Sequence, residues 1–166
     1  MIELKQLSLK DGIDIYNLLQ DIPLDEMGFY NSANGLTYDK FKNWLIQKDK
    51  NAKQVGLLDG WRVPETTFFL YVDDTPVGLG SIRHFLTAGL LKVGGHIGYA
   101  ISPKYRSLGY GKAILKHLLV EARKLGIKDV LITTNLDNYA SQKVVLANGG
   151  VETSRNEEHV YFWIYG

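Results

Sequence analysis

The strongest constraint on the fold is a strand–turn–helix segment at residues 101–112, ISPKYRSLGYGK. An apolar run ends at Ile101, and Gly109 and Gly111 precede a stretch whose apolar residues recur with a helical period. The first amides of a helix have no internal hydrogen-bond partner, and the helix dipole places partial positive charge there. We therefore expect an anion site, most simply one for a pyrophosphate, at the start of this helix.

Charge and glycine spacing narrow the kind of anion site. Arg106 and Lys112 add formal positive charge for a multiply anionic group. A Walker A loop would need glycine at position 106, and a dinucleotide fingerprint would need glycine at position 114, which is isoleucine. A structural alternative stays open, in which the glycines allow tight packing at a helix start and the two basic residues are solvated.

The whole chain predicts a β-rich first half followed by alternating helix and strand. Polar–apolar alternation and β-branched runs predict strands, and apolar residues three or four apart predict helices. Helices are expected between Asp11 and Pro23 and over 37–48, 110–125 and 138–148; strands are expected over 2–9, 66–72, 77–85, 96–101, 130–134, 151–155 and 159–164. This order predicts an α/β protein, a single domain over 1–166, with a mixed sheet of about six or seven strands and about four helices.

Composition limits the class of protein. The formal net charge of +1 gives no overall field that would draw the chain to nucleic acid, and no apolar run has the length of a membrane span. The chain has no cysteine, and its four histidines lack a paired metal-ligand spacing, so no metal site is expected. We expect a cytoplasmic protein without a nucleic-acid or membrane partner.

Two segments resemble a known family. Arg106-x-x-Gly109-x-Gly111, preceded by Ser102-Pro103-x-Tyr105, is similar to the acetyl-CoA signature of the GNAT superfamily of N-acetyltransferases. Asn138-x-x-Ser141, on a helix followed by Asn148-Gly149-Gly150, resembles the second cofactor segment of that family. Residues 61–64, 94–99 and 161–164 resemble a bacterial subgroup of predicted acetyltransferases. The resemblance covers residues 66–165 and is weak over the N-terminal third, where the family varies with the acceptor.

The resemblance implies a GNAT fold and a donor site for acetyl-CoA. The strand over 96–101 would be splayed from the strand over 130–134, and the cofactor would lie in the V-shaped cleft between them. Backbone groups near the end of the first strand would bond the pantetheine arm, and the turn after it would hold the pyrophosphate. The implied cofactor contacts are Ile101, Ser102, Arg106, Ser107, Leu108, Gly109, Tyr110, Gly111, Lys112, Asn138 and Ser141.

The resemblance also implies direct transfer of acetyl to a primary amine of a small molecule or peptide. His96 stands where many relatives carry a glutamate, and it is the candidate general base; the alternative is a packed strand residue. His84 is a second candidate. Many relatives carry an acid tyrosine seven residues after the asparagine, where this chain has Val145. Either another hydroxyl, such as that of Ser141, protonates the thiolate or it leaves unassisted.

The acceptor side is expected from residues 22–64 and the loop over 86–94. Asp25 and Glu26 beside aromatic residues could hold a cationic amine, or these residues could form a solvated turn and part of the core. The aromatic residues are Phe29, Tyr30, Tyr38, Trp44 and Trp61. The closing hairpin offers a surface for a homodimer.

Two other functions stay open. A non-catalytic acyl-CoA sensor of the same fold is favoured by Val145. An interaction domain could use a basic patch, but the near-neutral net charge argues against it; its residues would be Lys104, Arg106, Lys112 and Lys116.

Overall fold

The computed structural model describes residues 1–57 and 62–166, so Trp61 lies outside the described residues. A short 3-10 helix spans Pro103–Tyr105. The helices are α1 (Ile13–Asp21), α2 (Tyr38–Lys53), α3 (Ala88–Lys92), α4 (Tyr110–Lys124) and α5 (Tyr139–Ala147). The strands are β1 (Ile2–Gln6), β2 (Asp25–Glu26), β3 (Phe29–Tyr30), β4 (Glu65–Val72), β5 (Thr75–Arg83), β6 (Ile97–Ile101), β7 (Val130–Asn135), β8 (Val151–Arg155) and β9 (His159–Ile164).

The strands form two main sheets and one short hairpin. The first sheet has the order β1-β4-β5-β6 and the second has the order β7-β9-β8, with antiparallel pairing throughout. β2 and β3 pair as a separate antiparallel hairpin. In β4, Phe68, Phe69 and Leu70 are consecutive buried residues, which is the pattern of a strand covered on both faces.

Helices cover both faces of the first sheet. α4 packs its apolar stripe, including Ile114, Leu115 and Leu118, against one face. α1 and α2 pack on the other face through residues such as Leu18 and Phe41. Gly80 on β5 brings α4 close, because a Cβ added there would lie only 2.8 Å from Leu118 Cδ1. The core therefore fixes where the N-terminus of α4 meets the end of β6.

The structure differs from the sequence-based prediction at short elements and element ends. The β2–β3 hairpin and α3 were not expected, because two-residue strands and a five-residue helix carry too few residues to show a period. α3 is marked by its cap, since Thr87 Oγ1 accepts a hydrogen bond from Leu90 N–H at 3.3 Å. α2 continues beyond residue 48 to Lys53, where Lys50 and Lys53 complement the helix dipole. None of the described helices is long and apolar enough to cross a membrane.

Candidate active site

The site begins where the two main sheets meet, at the first residues of β6 and β7. The His96 N–H donates to the Leu131 carbonyl at 2.8 Å, and the Leu131 N–H donates to His96 Nδ1 at 2.9 Å. Gly95 permits this approach, because a Cβ there would overlap the Leu131 carbonyl group. After this contact β6 pairs with β5 and β7 pairs with β9, so their facing edges diverge and leave a cleft.

The β2–β3 hairpin crosses this cleft. The Phe29 ring rests on Gly98 of β6, where any Cβ would overlap the ring. At the tip, Met27 and Gly28 have φ values of +52° and +94°, and a Cβ on Gly28 would lie 3.4 Å from Asn135 Oδ1 of β7. Asp25 Oδ1 stabilises the turn by accepting the Gly28 N–H at 2.8 Å. The hairpin therefore spans from one splayed strand to the other.

A cavity of about 370 Å³, which we call the donor cleft, lies beside the N-terminus of α4. The first intrahelical bond of α4 joins Ala113 N–H to Gly109 C=O at 3.2 Å, and no side chain caps the helix. Its first amides therefore remain as donors for a ligand. Most of the expected cofactor contacts line this cleft, namely Ile101, Arg106, Ser107, Gly109, Tyr110, Gly111, Lys112, Asn138 and Ser141.

The two glycines of the turn have different physical roles. Gly109 has φ +85°, and an added Cβ would meet no atom within 4 Å, so its surroundings are open toward the cleft. At Gly111 a Cβ would lie 3.3 Å from Val144 Cγ2, so this glycine allows α4 to pack against α5. Access for an anion therefore depends on Gly109, and helix packing depends on Gly111.

Arg106 connects the donor cleft to the hairpin. Its Nη2 lies 2.7 Å from Glu26 Oε1, with 44% and 24% of the two side chains exposed. Its Nε donates to the Ile101 carbonyl at 3.3 Å. Arg106, the side chain expected to bind an anion, is thus held at the cleft by the Glu26 carboxylate of β2 and by the carbonyl of the last residue of β6.

Two of the expected cofactor contacts lie away from the described lining of the cleft. Ser102 is fully buried, and its N–H donates to the Val77 carbonyl at 2.9 Å. Its Oγ accepts the Lys104 N–H at 3.4 Å and caps the 3-10 helix. Leu108 points outward with 60% of its surface exposed.

His96 is 6% exposed, and its ring packs edge-on to Trp163 with the ring centroids 6.4 Å apart. Burial, reinforced by the Arg83 charge, lowers the pKa of His96. The ring is therefore neutral near pH 7, and because Nδ1 accepts the Leu131 N–H, its proton must lie on Nε2. His84 is bonded through Nε2 to Thr66 Oγ1 at 2.7 Å.

A pair of hydroxyl groups lies at the inner end of the donor cleft. Tyr99 Oη is 2.9 Å from Ser141 Oγ, and burial raises the pKa of Tyr99 to about 12. Asn138 caps α5 by accepting the Ser141 N–H at 3.3 Å. Val145 is fully buried. Tyr99, Asn138 and Ser141 also line a second cavity of about 80 Å³ between β6 and β7, the inner cavity.

The inner cavity offers further polar groups. Thr134 lines it, and Thr134 Oγ1 is buried without a hydrogen-bond partner among the described residues. His159, the first residue of β9, lines the same cavity. An unpartnered buried hydroxyl fits a site that receives a polar ligand. In the described part of the chain, no three histidine or acidic side chains are grouped to hold a metal ion.

The model of the acetyltransferase (GNAT) family matches residues 26–149. The chain belongs to this family. The fold class and the enzyme class expected from the sequence, a GNAT acetyltransferase, are therefore confirmed. No curated protein matches the sequence.

Several solved structures share the fold of this acetyltransferase. yncA from Salmonella typhimurium, solved with acetyl-CoA, has 13% identity and a TM-score of 0.67, covering 99% of this chain and 93% of its own. PseH from Campylobacter jejuni, an N-acetyltransferase in complex with acetyl coenzyme A, has 12% identity, a TM-score of 0.65 and 99% coverage of both chains. A spermidine N-acetyltransferase SpeG chimera from Vibrio cholerae and hSSAT has 14% identity, a TM-score of 0.66 and coverages of 99% and 95%.

Sequence reasoning missed or misplaced several residues of this candidate site. Glu26 was expected on the acceptor side and Met27 was not singled out, whereas both line the donor cleft. Tyr99 could have been found from the sequence. It lies on the same face of the strand as Ile97 and Ile101, so it places a hydroxyl on an otherwise apolar face. His159 begins β9, as the strand predicted over 159–164 implies, but no sequence pattern indicated that this half-buried side chain lines the inner cavity.

Proposed function

We propose that this acetyltransferase transfers the acetyl group of acetyl-CoA to a primary amine of a small molecule or peptide by direct attack. The observation that supports this most is the continuity of the donor cleft with the inner cavity. The first begins at the uncapped N-terminus of α4, and the two share Tyr99, Asn138 and Ser141. A long ligand can therefore place its phosphates at α4 and its reactive end between the strands.

The residues around the donor cleft fit coenzyme A. The amides of Tyr110, Gly111 and Lys112 would donate to the pyrophosphate, and Arg106 would add charge. The facing edge of β6 would bond the pantetheine amides as a neighbouring strand would. When bound, acetyl-CoA supplies an activated thioester, and the protein mainly orients it toward the amine.

The Tyr99–Ser141 pair would stabilise the thiolate that leaves. A thiol has a pKa of about 8.5, which is about 3.5 units below the value of about 12 for Tyr99. The phenol would therefore keep its proton and donate a hydrogen bond to sulfur, and it would not act as a full proton donor. In this proposal Tyr99 of β6 supplies the hydroxyl that many relatives carry at the position of Val145, whose side chain cannot donate a hydrogen bond.

The amine must lose a proton before or during attack. The sequence suggested His96, and that assignment remains a prediction. Its contacts support a positioning role, since Nδ1 is used by Leu131 and the ring has no free lone pair while that bond holds. We propose His159, which lines the inner cavity, as the group that accepts the proton directly or through water.

The non-catalytic sensor is the second candidate, because Val145 is buried and cannot donate a proton. The experiment is a calorimetric titration with acetyl-CoA, followed by an amine screen that detects released thiol. The chain has no cysteine, so the protein adds no thiol background. Binding with thiol release supports the enzyme, binding without release supports the sensor, and no binding overturns both.

Gly109 offers a matched pair of variants for the donor cleft. Asparagine and aspartate both tolerate the left-handed backbone at this position and differ only in charge. We expect Gly109→Asp to weaken acetyl-CoA binding at least tenfold more than Gly109→Asn, because the added carboxylate would repel the pyrophosphate. Equal affinities of the two variants would contradict this location for the pyrophosphate.

The wider context is also proposed. We expect one domain over 1–166, a cytoplasmic location and no nucleic-acid partner. The β8–β9 hairpin is a suitable surface for a homodimer, since all five residues of β8 are exposed. Sedimentation at micromolar concentration tests the oligomeric state.

A further inference from the structure

A third cavity, of about 340 Å³, lies on the α2 side of the first sheet, and we call it the acceptor cavity. It shares Gly28, Phe29, Arg83, Val93 and Gly94 with the inner cavity. Under the proposed function, on which this inference rests, a molecule in the acceptor cavity would approach the thioester from the side opposite to coenzyme A. The volume is near the lower end of the range for ligand sites, so it suits a compact molecule.

Three charged side chains line the acceptor cavity among the described residues. Glu65 lies between two cations: its Oε1 is 3.6 Å from Lys48 Nζ, and its Oε2 is 3.4 Å from Arg83 Nε. These separations exceed those of strong charge-assisted hydrogen bonds, so both cations keep donor capacity for another anion. The local formal charge of the three groups is +1.

The rest of the wall carries both apolar and neutral polar side chains. Trp44 is fixed by a hydrogen bond from Nε1 to Ser32 Oγ at 2.8 Å, and Lys48 Nζ lies 5.7 Å from the centre of its ring. Leu79, Leu90 and Val93 also line the cavity. An acceptor that fits here has a negatively charged group and an apolar part that packs on Trp44 and these aliphatic side chains.

Arg83 determines where that negative group lies. It lines both the acceptor cavity and the inner cavity, and its Nη1 is held by the Gly94 carbonyl at 3.0 Å. An anion bound to this guanidinium is therefore close to the passage through which the amine must enter. A carboxylate and an amine on the same carbon satisfy this arrangement.

We propose that the acceptor is an α-amino acid with an apolar side chain, its carboxylate bound by Arg83 and Lys48 and its side chain against Trp44. The same charges disfavour polyamines. The three charged side chains of the cavity have a net charge of +1, so they would repel a ligand that carries several positive charges. The Arg83 charge would also favour the neutral, nucleophilic form of the amine. This acceptor class differs from that named for the spermidine N-acetyltransferase chimera of similar fold.

The experiment compares acceptors that differ only in the carboxylate. Thiol release is measured with L-phenylalanine against 2-phenylethylamine, L-leucine against 3-methylbutylamine, and L-tyrosine against tyramine, with spermidine as the polycation. We expect kcat/KM to be at least tenfold higher for the amino acid of a pair. Equal or lower values for the amino acids, or preferred acetylation of spermidine, would overturn the proposal.

A charge reversal at Lys48 tests the same point without touching the reacting centre. Lys48→Glu changes the local formal charge from +1 to −1, so we expect the preference for the amino acid to fall at least tenfold. Lys50→Glu is the matched control. Lys50 lies exposed on the same helix, and its substitution changes the total charge of the protein by the same amount. A preference that changes equally in both variants would contradict the assignment, and thermal melts verify that both are folded.

Failure of this inference is distinguishable from failure of the proposed function. If acetyl-CoA binds to the wild-type protein in calorimetry but no amino acid of the panel increases thiol release, the acceptor class is wrong and the donor site stands. If acetyl-CoA does not bind, the proposed function itself fails.

Discussion

The ion pair between Glu26 and Arg106 should oppose binding of acetyl-CoA, so Glu26→Gln should tighten it. Arg106 lines the donor cleft with the α4 residues whose amides would hold the pyrophosphate, yet its guanidinium is 2.7 Å from the Glu26 carboxylate. In the variant the guanidinium is free to turn toward the pyrophosphate. The neutral amide also removes a negative charge from the edge of the cleft.

The magnitude follows from two contributions. A partly exposed ion pair is worth about 0.2–1 kcal/mol, which the wild-type protein gives up when Arg106 turns. A carboxylate on the far side of the guanidinium would lie about 8 Å from the diphosphate, and the repulsion is about 0.5 kcal/mol per negative charge in water. The sum is about 1–2 kcal/mol at low salt, or an affinity about five to thirty times higher.

The assay is calorimetry with acetyl-CoA at low and physiological ionic strength. Near 0.15 M salt the Debye length is about 8 Å, so the repulsive part should fall to about a third. The control is Asp21→Asn, which breaks a similar exposed pair with Lys104 at 3.0 Å, next to a different cavity. An unchanged or weaker affinity in Glu26→Gln would refute the reasoning and would mean that Glu26 orients Arg106 for the ligand.

Three more predictions concern Tyr99, His96 and His159. Tyr99→Phe should lower kcat at least tenfold with little change in acetyl-CoA affinity, because only the hydrogen bond to the thiolate is lost. Tyr139→Phe is the control, since this tyrosine is exposed, and it should change neither quantity. A kcat of Tyr99→Phe equal to that of the wild type would exclude Tyr99 as a donor to the thiolate. His96→Ala should destabilise the fold by about 1–3 kcal/mol, because the buried Leu131 N–H loses its acceptor. Since burial lowers the pKa of His96, the unfolded chain binds protons at higher pH, so wild-type stability should fall as pH drops below about 6.5, and less steeply in the variant. His159→Gln should slow turnover and leave stability unchanged, so a reversal of these two phenotypes would return His96 to the role of base.

The position of the donor cleft could be predicted from the sequence because the segments that form most of it are contiguous. A strand end, two glycines and an amphipathic helix follow one another within residues 101–112, and helix amides are positioned by local geometry alone. The exceptions are also local in cause. Ser102 turns inward and caps the 3-10 helix, and Leu108 faces outward. A sequence motif gives the positions of residues but not the directions of their side chains.

The acceptor side could not be predicted in the same way, because tertiary packing assembles it. Lys48 comes from α2, Glu65 from β4 and Arg83 from β5, and their spacing in the chain has no period that links them. The acids that the sequence suggested for a cationic amine have other partners, since Glu26 pairs with Arg106 and Asp25 accepts the Gly28 N–H. The net charge of the acceptor cavity can therefore be determined only from the tertiary structure, which brings these three side chains together.

The position of His96 relative to Tyr99 shows why a strand histidine cannot be given a catalytic role from sequence alone. His96 joins β6 to β7 at the closed end of the cleft, and Tyr99 lies three residues further along, where the donor cleft and the inner cavity meet. Three residues along a strand span about 10 Å, and they point to opposite faces. The two side chains thus cannot both contact one thioester. If the sulfur lies at the Tyr99–Ser141 pair, His96 acts by holding the strands at the separation from which the cleft opens.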